Sequence, residues 1–102
     1  MVDPNKVEHP QGTEVKKVIC TCTYQGYSFS IAIVYDPESK RNRIGMRWNG
    51  DRDNNNDKGY PTARGYPVWF FVPKDLEEDI LNIATKKEAL EALKILRSQN
   101  EI

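Results

Sequence analysis

Histidine occurs once in this 102-residue chain, cysteine twice, no apolar run exceeds the five residues of Val68–Val72, and fifteen basic residues are balanced by fifteen acidic ones. A membrane helix needs about 20 consecutive apolar residues, and no basic segment followed by a hydrophobic one opens the chain. A cytoplasmic protein without a membrane span is therefore expected. A formal net charge of zero leaves no whole-molecule field to draw in a polyanion or an acidic bilayer, so any charge argument is local. Cys20 and Cys22 stand two apart, a spacing that puts both on one face of a strand but too stretched for easy disulfide geometry, and two reduced, buried thiols are expected. With His9 as the single additional soft ligand, a structural zinc site lacks its four donors. His9 lies in the N-terminal stretch, and no histidine elsewhere can activate a hydroxyl or thiol. The sequence also lacks a Gly-x-Ser-x-Gly elbow and a phosphate-cradling Gly-x-x-x-x-Gly-Lys loop. No enzyme activity and no cofactor are expected; the one catalytic form left open is a carboxylate-metal nuclease built on Asp51, Asp53 and Asp57.

What is present is alternation. Residues 1–13 contain Pro4, Pro10 and Gly12 without an apolar period and read as a flexible N-terminal tail. Residues 14–102 read as a single α+β domain. From Glu14 to Tyr24, Val18, Cys20, Cys22 and Tyr24 alternate with Ile19, Thr21 and Thr23, the pattern of a strand. Gln25-Gly26 breaks it as a tight hairpin turn would. Tyr27, Phe29, Ile31, Ile33 and Tyr35 then form an apolar face opposite Ser28, Ser30, Ala32 and Val34, small residues that suit either a closely approaching helix or a shallow open surface. Asp36-Pro37-Glu38-Ser39 marks a turn. A third strand follows, with Ile44, Met46 and Trp48 on an apolar face that assigns Trp48 to the core, and Arg43, Gly45 and Arg47 on a basic one; Asn49-Gly50 ends it. Val68 to Val72, bounded by Pro67 and Pro73, reads as the fourth strand. Helix signals come last: Asp75 as N-cap with Glu78 three residues on, then Thr85 with Glu88 opening a second helix through about residue 98 that carries Ala89, Leu90, Leu93 and Leu96, so that two helices abut or one long helix kinks near Thr85. The predicted fold is a four-stranded antiparallel meander followed by two C-terminal helices packed on one face. This order resembles, in topology alone and with no matching motif, the Whirly and transcriptional-coactivator type of single-stranded nucleic-acid binders.

Between the third and fourth strands lies a long connection with no hydrophobic period, and it concentrates the candidate chemistry. Asp51, Asp53, Asn55 and Asp57 imitate the first half of a calcium loop, but the sixth-position glycine is Asn56 and the twelfth-position glutamate is Thr62, so a solvated loop and no metal are expected. Lys40, Arg41, Arg43, Arg47, Arg52, Lys58 and Arg64 outnumber the acidic residues here, with Trp48, Tyr60, Tyr66 and Trp69 in or beside the cluster. Cations track phosphates and aromatic faces stack bases, which makes single-stranded nucleic acid one expected ligand class. The other, favoured, is a protein partner or a second copy of the chain, because aromatic residues and arginine concentrate at interface centres. The binding residues expected on either reading are Arg41, Arg43, Arg47, Arg52, Tyr60, Arg64, Tyr66 and Trp69. Two Gly-Tyr-Pro tripeptides, Gly59-Tyr60-Pro61 and Gly65-Tyr66-Pro67, shape this loop through restricted or cis Tyr-Pro bonds.

Overall fold

Alternating sequence becomes sheet wherever it was expected. The computed structural model describes residues 1–86, in which β1 (Glu14–Tyr24), β2 (Tyr27–Asp36) and β3 (Arg41–Asp51) form an antiparallel meander. Tyr24 pairs with Tyr27, leaving Gln25 and Gly26 as a two-residue turn, both at positive φ as the twist of a tight hairpin demands. The second turn is tied by Asp36: its carboxylate accepts from the Glu38 N–H at 3.0 Å and from the Ser39 hydroxyl at 2.8 Å. Burial opposes ionisation of Asp36, but hydrogen bonds from Ser39, the Glu38 backbone and Arg43 outweigh it and hold the carboxyl below its ordinary range.

The register contains irregularities that alternation cannot foretell. β1 shifts against β2 twice, between Val15 and Lys17 and between Val18 and Cys20. β3 does not end at Asn49-Gly50 as expected; a bulge at Asn49 carries it on to Asp51, with Gly50 opposite Ser28 and Trp48 opposite Phe29. Asn49 is fully buried and donates to the Ser28 and Ser30 hydroxyls, at 3.0 and 2.8 Å.

The fourth strand of the sheet is shorter than Val68–Val72. A two-residue hairpin, β4 (Thr62–Ala63) and β5 (Tyr66–Pro67), precedes β6 (Phe70–Phe71), which pairs antiparallel with Gly45 and Met46 of β3. The strand is short because the main chain around it has other partners, and Trp69 turns to the opposite side of the sheet. A 3₁₀ turn at Lys74–Leu76 then leads into α1, over 77–86. Asp75 lies inside that turn and caps nothing, a correction to its expected role. The acidic residue that ties the helix down is Glu77, whose carboxylate accepts from the Ile44 N–H at 3.0 Å and from Arg41 at 3.0 Å. Thr85 also does not open a new helix: it lies within α1, its hydroxyl donating to the Leu81 carbonyl one turn back at 2.8 Å. The remainder of the expected second helix, with Ala89, Leu90, Leu93 and Leu96, falls outside the described residues. No helix among the described residues is long and apolar enough to cross a membrane.

Both faces of the sheet are covered, by different material. Ile31, Ile44, Val72 and Ala84 form the core under α1, with Ile33, Met46 and Ile80 packed against it. On the other face Ala32, Val34, Val7 and Trp69 form a second core. Among the described residues, it is the N-terminal stretch, with its 3₁₀ turn at Pro4–Lys6, and the Trp69 segment that meet the small-residue face of β2. Residues 1–13 therefore lie against the sheet where a tail was expected: Val7 is 2% exposed, its carbonyl accepts from the Trp69 indole N–H at 2.8 Å, and the Val2 N–H donates to the Asn49 carbonyl at 2.8 Å. A thin extended segment suits a face of serine, alanine and valine, and two well-placed valines anchor it without any periodic pattern. The cysteines are half-buried, not buried, with Cys20 beside the helix-side core.

Candidate functional site

Arg47 organises the connection that the sequence singles out. It points to the small-residue side of β3 and is 1% exposed, where its guanidinium donates to the carbonyls of Val68 at 2.6 Å and Pro61 at 3.5 Å and also to that of Lys58. Five planar donors on one cation can gather three carbonyls from a chain segment whose own ladder is a two-residue hairpin. Burial lowers its pKa to about 10, which leaves it charged at neutral pH. The bound carbonyls bring Tyr60 alongside Trp48, where the two main chains exchange hydrogen bonds of 2.8 and 2.9 Å. Gly59 makes this approach possible: at φ +68, a Cβ there would collide with the Trp48 carbonyl. The Tyr60–Pro61 peptide is cis and the Tyr66–Pro67 peptide is not.

The expected basic surface is taken apart by these contacts. Arg47 lies in the interior. Arg43 donates to Asp36 at 3.2 Å and to the Val72 carbonyl at 3.2 Å, and its guanidinium lies 4.9 Å from the centre of the Phe71 ring. Arg41 is held by Glu77. Burial raises the Glu77 pKa, but hydrogen bonds from the Ile44 backbone and Arg41, with the charges of Arg41 and Arg43, bring it below its ordinary value. Lys58 donates to the Gly65 carbonyl at 2.7 Å. Trp69 is also removed from the surface, buried against Gly45, where an added Cβ would meet its ring at 3.0 Å. Of the eight expected binding residues, Arg52, Tyr60, Arg64 and Tyr66 remain exposed, and they do not converge. Arg64 sits at positive φ on the β4–β5 turn, and Tyr66 stacks on His9 with ring centres 4.2 Å apart, whereas Tyr60 goes to Trp48.

A different surface is assembled instead, on the face that α1 covers only in part. Beyond the Ile31 and Ile44 end of that face, Trp48 remains 39% exposed, Tyr60 71% and Phe70 58%, with Tyr27 exposed beside them. Phe29 supports Trp48 edge-on, ring centres 5.0 Å apart. The parity that assigned Trp48 to the apolar face was right; its assignment to the core was not, because Ala84 and Ile80 of α1 pack over the Ile31 and Ile44 end of that face. Trp48 and Tyr60 form a ridge with a cleft on either side. One cleft, of about 180 Å³, is lined by Phe29, Met46, Arg47, Trp48, Tyr60, Pro61 and Phe70; the other, of about 340 Å³, by Tyr27, Trp48, Gly50, Asp57, Gly59 and Tyr60. Phe70 and Tyr27 lie outside the expected site; alternation with Phe29 and Ile31 was the signal for Tyr27, whereas Phe70 stands in an unbroken apolar run that offers none.

The acidic loop beside the ridge is occupied with its own backbone. Asp57 accepts from the Asp51 and Gly59 N–H groups, both at 2.9 Å, and Asp51 accepts from the Asp53 N–H at 2.9 Å. The two bonds to Asp57 hold its carboxyl below the ordinary range. Among the described residues, no group of three histidine, cysteine or acidic side chains converges to hold a metal ion. Comparison with protein-family models, curated proteins and solved structures finds no match to the chain.

Proposed function

We propose that this chain is a small non-enzymatic recognition module that binds a protein partner through the Trp48, Tyr60 and Phe70 face. The observation that supports this most is an exposed aromatic ridge flanked by apolar clefts and fixed from beneath by a buried arginine. Taking about 200 Å² for each of Trp48, Tyr60, Phe70 and Tyr27, their exposed fractions amount to roughly 400–450 Å², in the range of the largest and often functional patch on a small protein. Aromatic side chains held rigid lose little conformational freedom on contact, which is why they dominate interface energetics.

The same contacts weigh against single-stranded nucleic acid. Stacking platforms are present, but phosphate tracking needs free cations beside them, and Arg41, Arg43 and Arg47 are spent on Glu77, on Asp36 and on main-chain carbonyls. Selection from a displayed random-peptide library, with a W48A/Y60A double variant as counter-target, tests the reading. Sequences enriched on the native chain and lost on the variant are expected. No enrichment, together with salt-sensitive binding of a labelled single strand, would transfer the site to the nucleic-acid class.

A further inference from the structure

The shape and chemistry of the ridge specify the kind of segment it would hold. We propose that the Trp48–Tyr60 ridge and its two clefts form a docking site for a proline-rich segment in the polyproline II conformation, carrying a basic residue at the Asp57 end. This rests on the reading of the face as a protein-recognition surface and narrows it to one ligand class.

Three features carry it. The first is that at Trp48 and Tyr60 the surface offers side chains and not a free strand edge. Trp48 and Tyr60 have already exchanged their backbone hydrogen bonds with each other. A bound β-strand or an irregular peptide would find no main-chain ladder there. A polyproline II segment needs none, because its backbone is solvated and makes no internal hydrogen bonds, and proline rings lose little entropy when they pack on aromatic faces. The second is spacing. Met46 and Gly50 lie on opposite sides of Trp48 along β3, roughly 13 Å apart at ~3.3 Å per residue, so points midway between each and Trp48 lie roughly 7 Å apart, on the scale of the ~9 Å turn of a polyproline II helix. Apolar residues one turn apart would enter the clefts while the ridge sits between them. The indole N–H of Trp48 and the hydroxyls of Tyr60 and Tyr27 have no hydrogen bond to a described residue and can donate to ligand carbonyls.

The third is charge. The Asp57 carboxylate lines the cleft nearer Tyr27 and Gly50, and no cationic side chain lines that cleft; the N-terminal ammonium, held by the Asp51 and Asn54 carbonyls, favours its charged form from outside the cleft. Arg47, at the other cleft, is turned inward onto carbonyls. An arginine or lysine flanking the proline segment would meet Asp57, and a flanking acid would be repelled.

The test uses fluorescein-labelled decaproline ending in arginine, decaproline ending in glutamate, and a Gly-Ser peptide of the same length ending in arginine, each titrated with the full chain and followed by anisotropy. The expected result is saturable binding of the arginine-ended decaproline. Affinity should be at least tenfold weaker for Y60A and W48A, several-fold weaker for the glutamate-ended peptide, and absent for the Gly-Ser peptide. Changing the peptide end tests the charge contact without altering the protein, and far-UV circular dichroism confirms the fold of Y60A, whose side chain is largely exposed. Decaproline binding no better than Gly-Ser, or affinity unchanged by Y60A and W48A, overturns the inference. Library-selected sequences that depend on Trp48 but lack proline would overturn it while leaving the recognition reading standing; failure of both experiments removes both.

Discussion

Replacing Arg47 with methionine should detach the 58–68 connection from the sheet. Methionine fills much of the same space but leaves the carbonyls of Lys58, Pro61 and Val68 without their charged donor. The Pro61 carbonyl keeps the Val68 N–H at 3.1 Å, but the other two acceptors, left unpaired, cost about 1–3 kcal/mol each, and relief of the desolvated guanidinium offsets part of the sum. A net loss of roughly 3–5 kcal/mol follows, a large share of the ~5–15 kcal/mol that holds a small domain folded. For a chain of this size that is a fall in Tm of roughly 15–30 °C. Urea titration followed by far-UV circular dichroism and by tryptophan emission measures it. R47K should recover only part of the loss, because an ammonium is a point donor and cannot match the planar fork that gathers three carbonyls. R47M within about 1 kcal/mol of the native chain would refute the reasoning, because Arg47 would then not be what holds the connection in place.

Other consequences can be measured on the same protein. G45A should destabilise by about 1–3 kcal/mol and red-shift the buried tryptophan's emission, because the added methyl meets the Trp69 ring at 3.0 Å; an unchanged urea midpoint would contradict that contact. V7A should cost about 1–2 kcal/mol through lost burial of a core side chain. A change below about 0.5 kcal/mol is what a solvated tail would give. Asp36 and Glu77 have folded-state pKa values below their ordinary 3.8 and 4.5, so the unfolded chain binds more protons as the pH falls through that window. Their stabilisation is therefore present above the ordinary values and lost as the pH drops through the lowered ones. Urea midpoints should fall between pH 5 and pH 3, and the slope should flatten in D36N/E77Q; an equal slope in the double variant would rule these carboxylates out as the source.

How much of this the sequence disclosed depends on the range of the interaction. The strands of the meander and the Gln25-Gly26 turn were legible because period-two alternation and turn residues act locally. Trp48 was placed on the correct face for the same reason. Its exposure was not legible, since that depends on Ile80 and Ala84 packing at the Ile31 and Ile44 end of the same face. Arg47 was read as a surface cation because its three acceptors lie 11, 14 and 21 residues away and none is a side chain. Trp69 falls in an unbroken apolar run, where parity is undefined; the clue to its burial was Gly45, since a glycine inside a strand marks close approach by something large. The anchoring of residues 1–13 rests on Val2, Val7 and one indole hydrogen bond, too sparse for any periodic signal.

The outer side of β3 is closed one group at a time. The Ile44 N–H goes to Glu77, the Ile44 carbonyl accepts from Val72, Gly45 and Met46 pair with β6, and Trp48 pairs with Tyr60. At the opposite margin, β1 carries two register shifts and the paired lysines Lys16 and Lys17, features that twist and charge a strand margin. The edge that remains beyond β3 is the two-residue β6, too short to template a partner strand, so both margins resist growth by strand addition, the route to fibrils and runaway polymers. An aromatic face can be kept exposed in a crowded cell only by a scaffold that does not template its own aggregation.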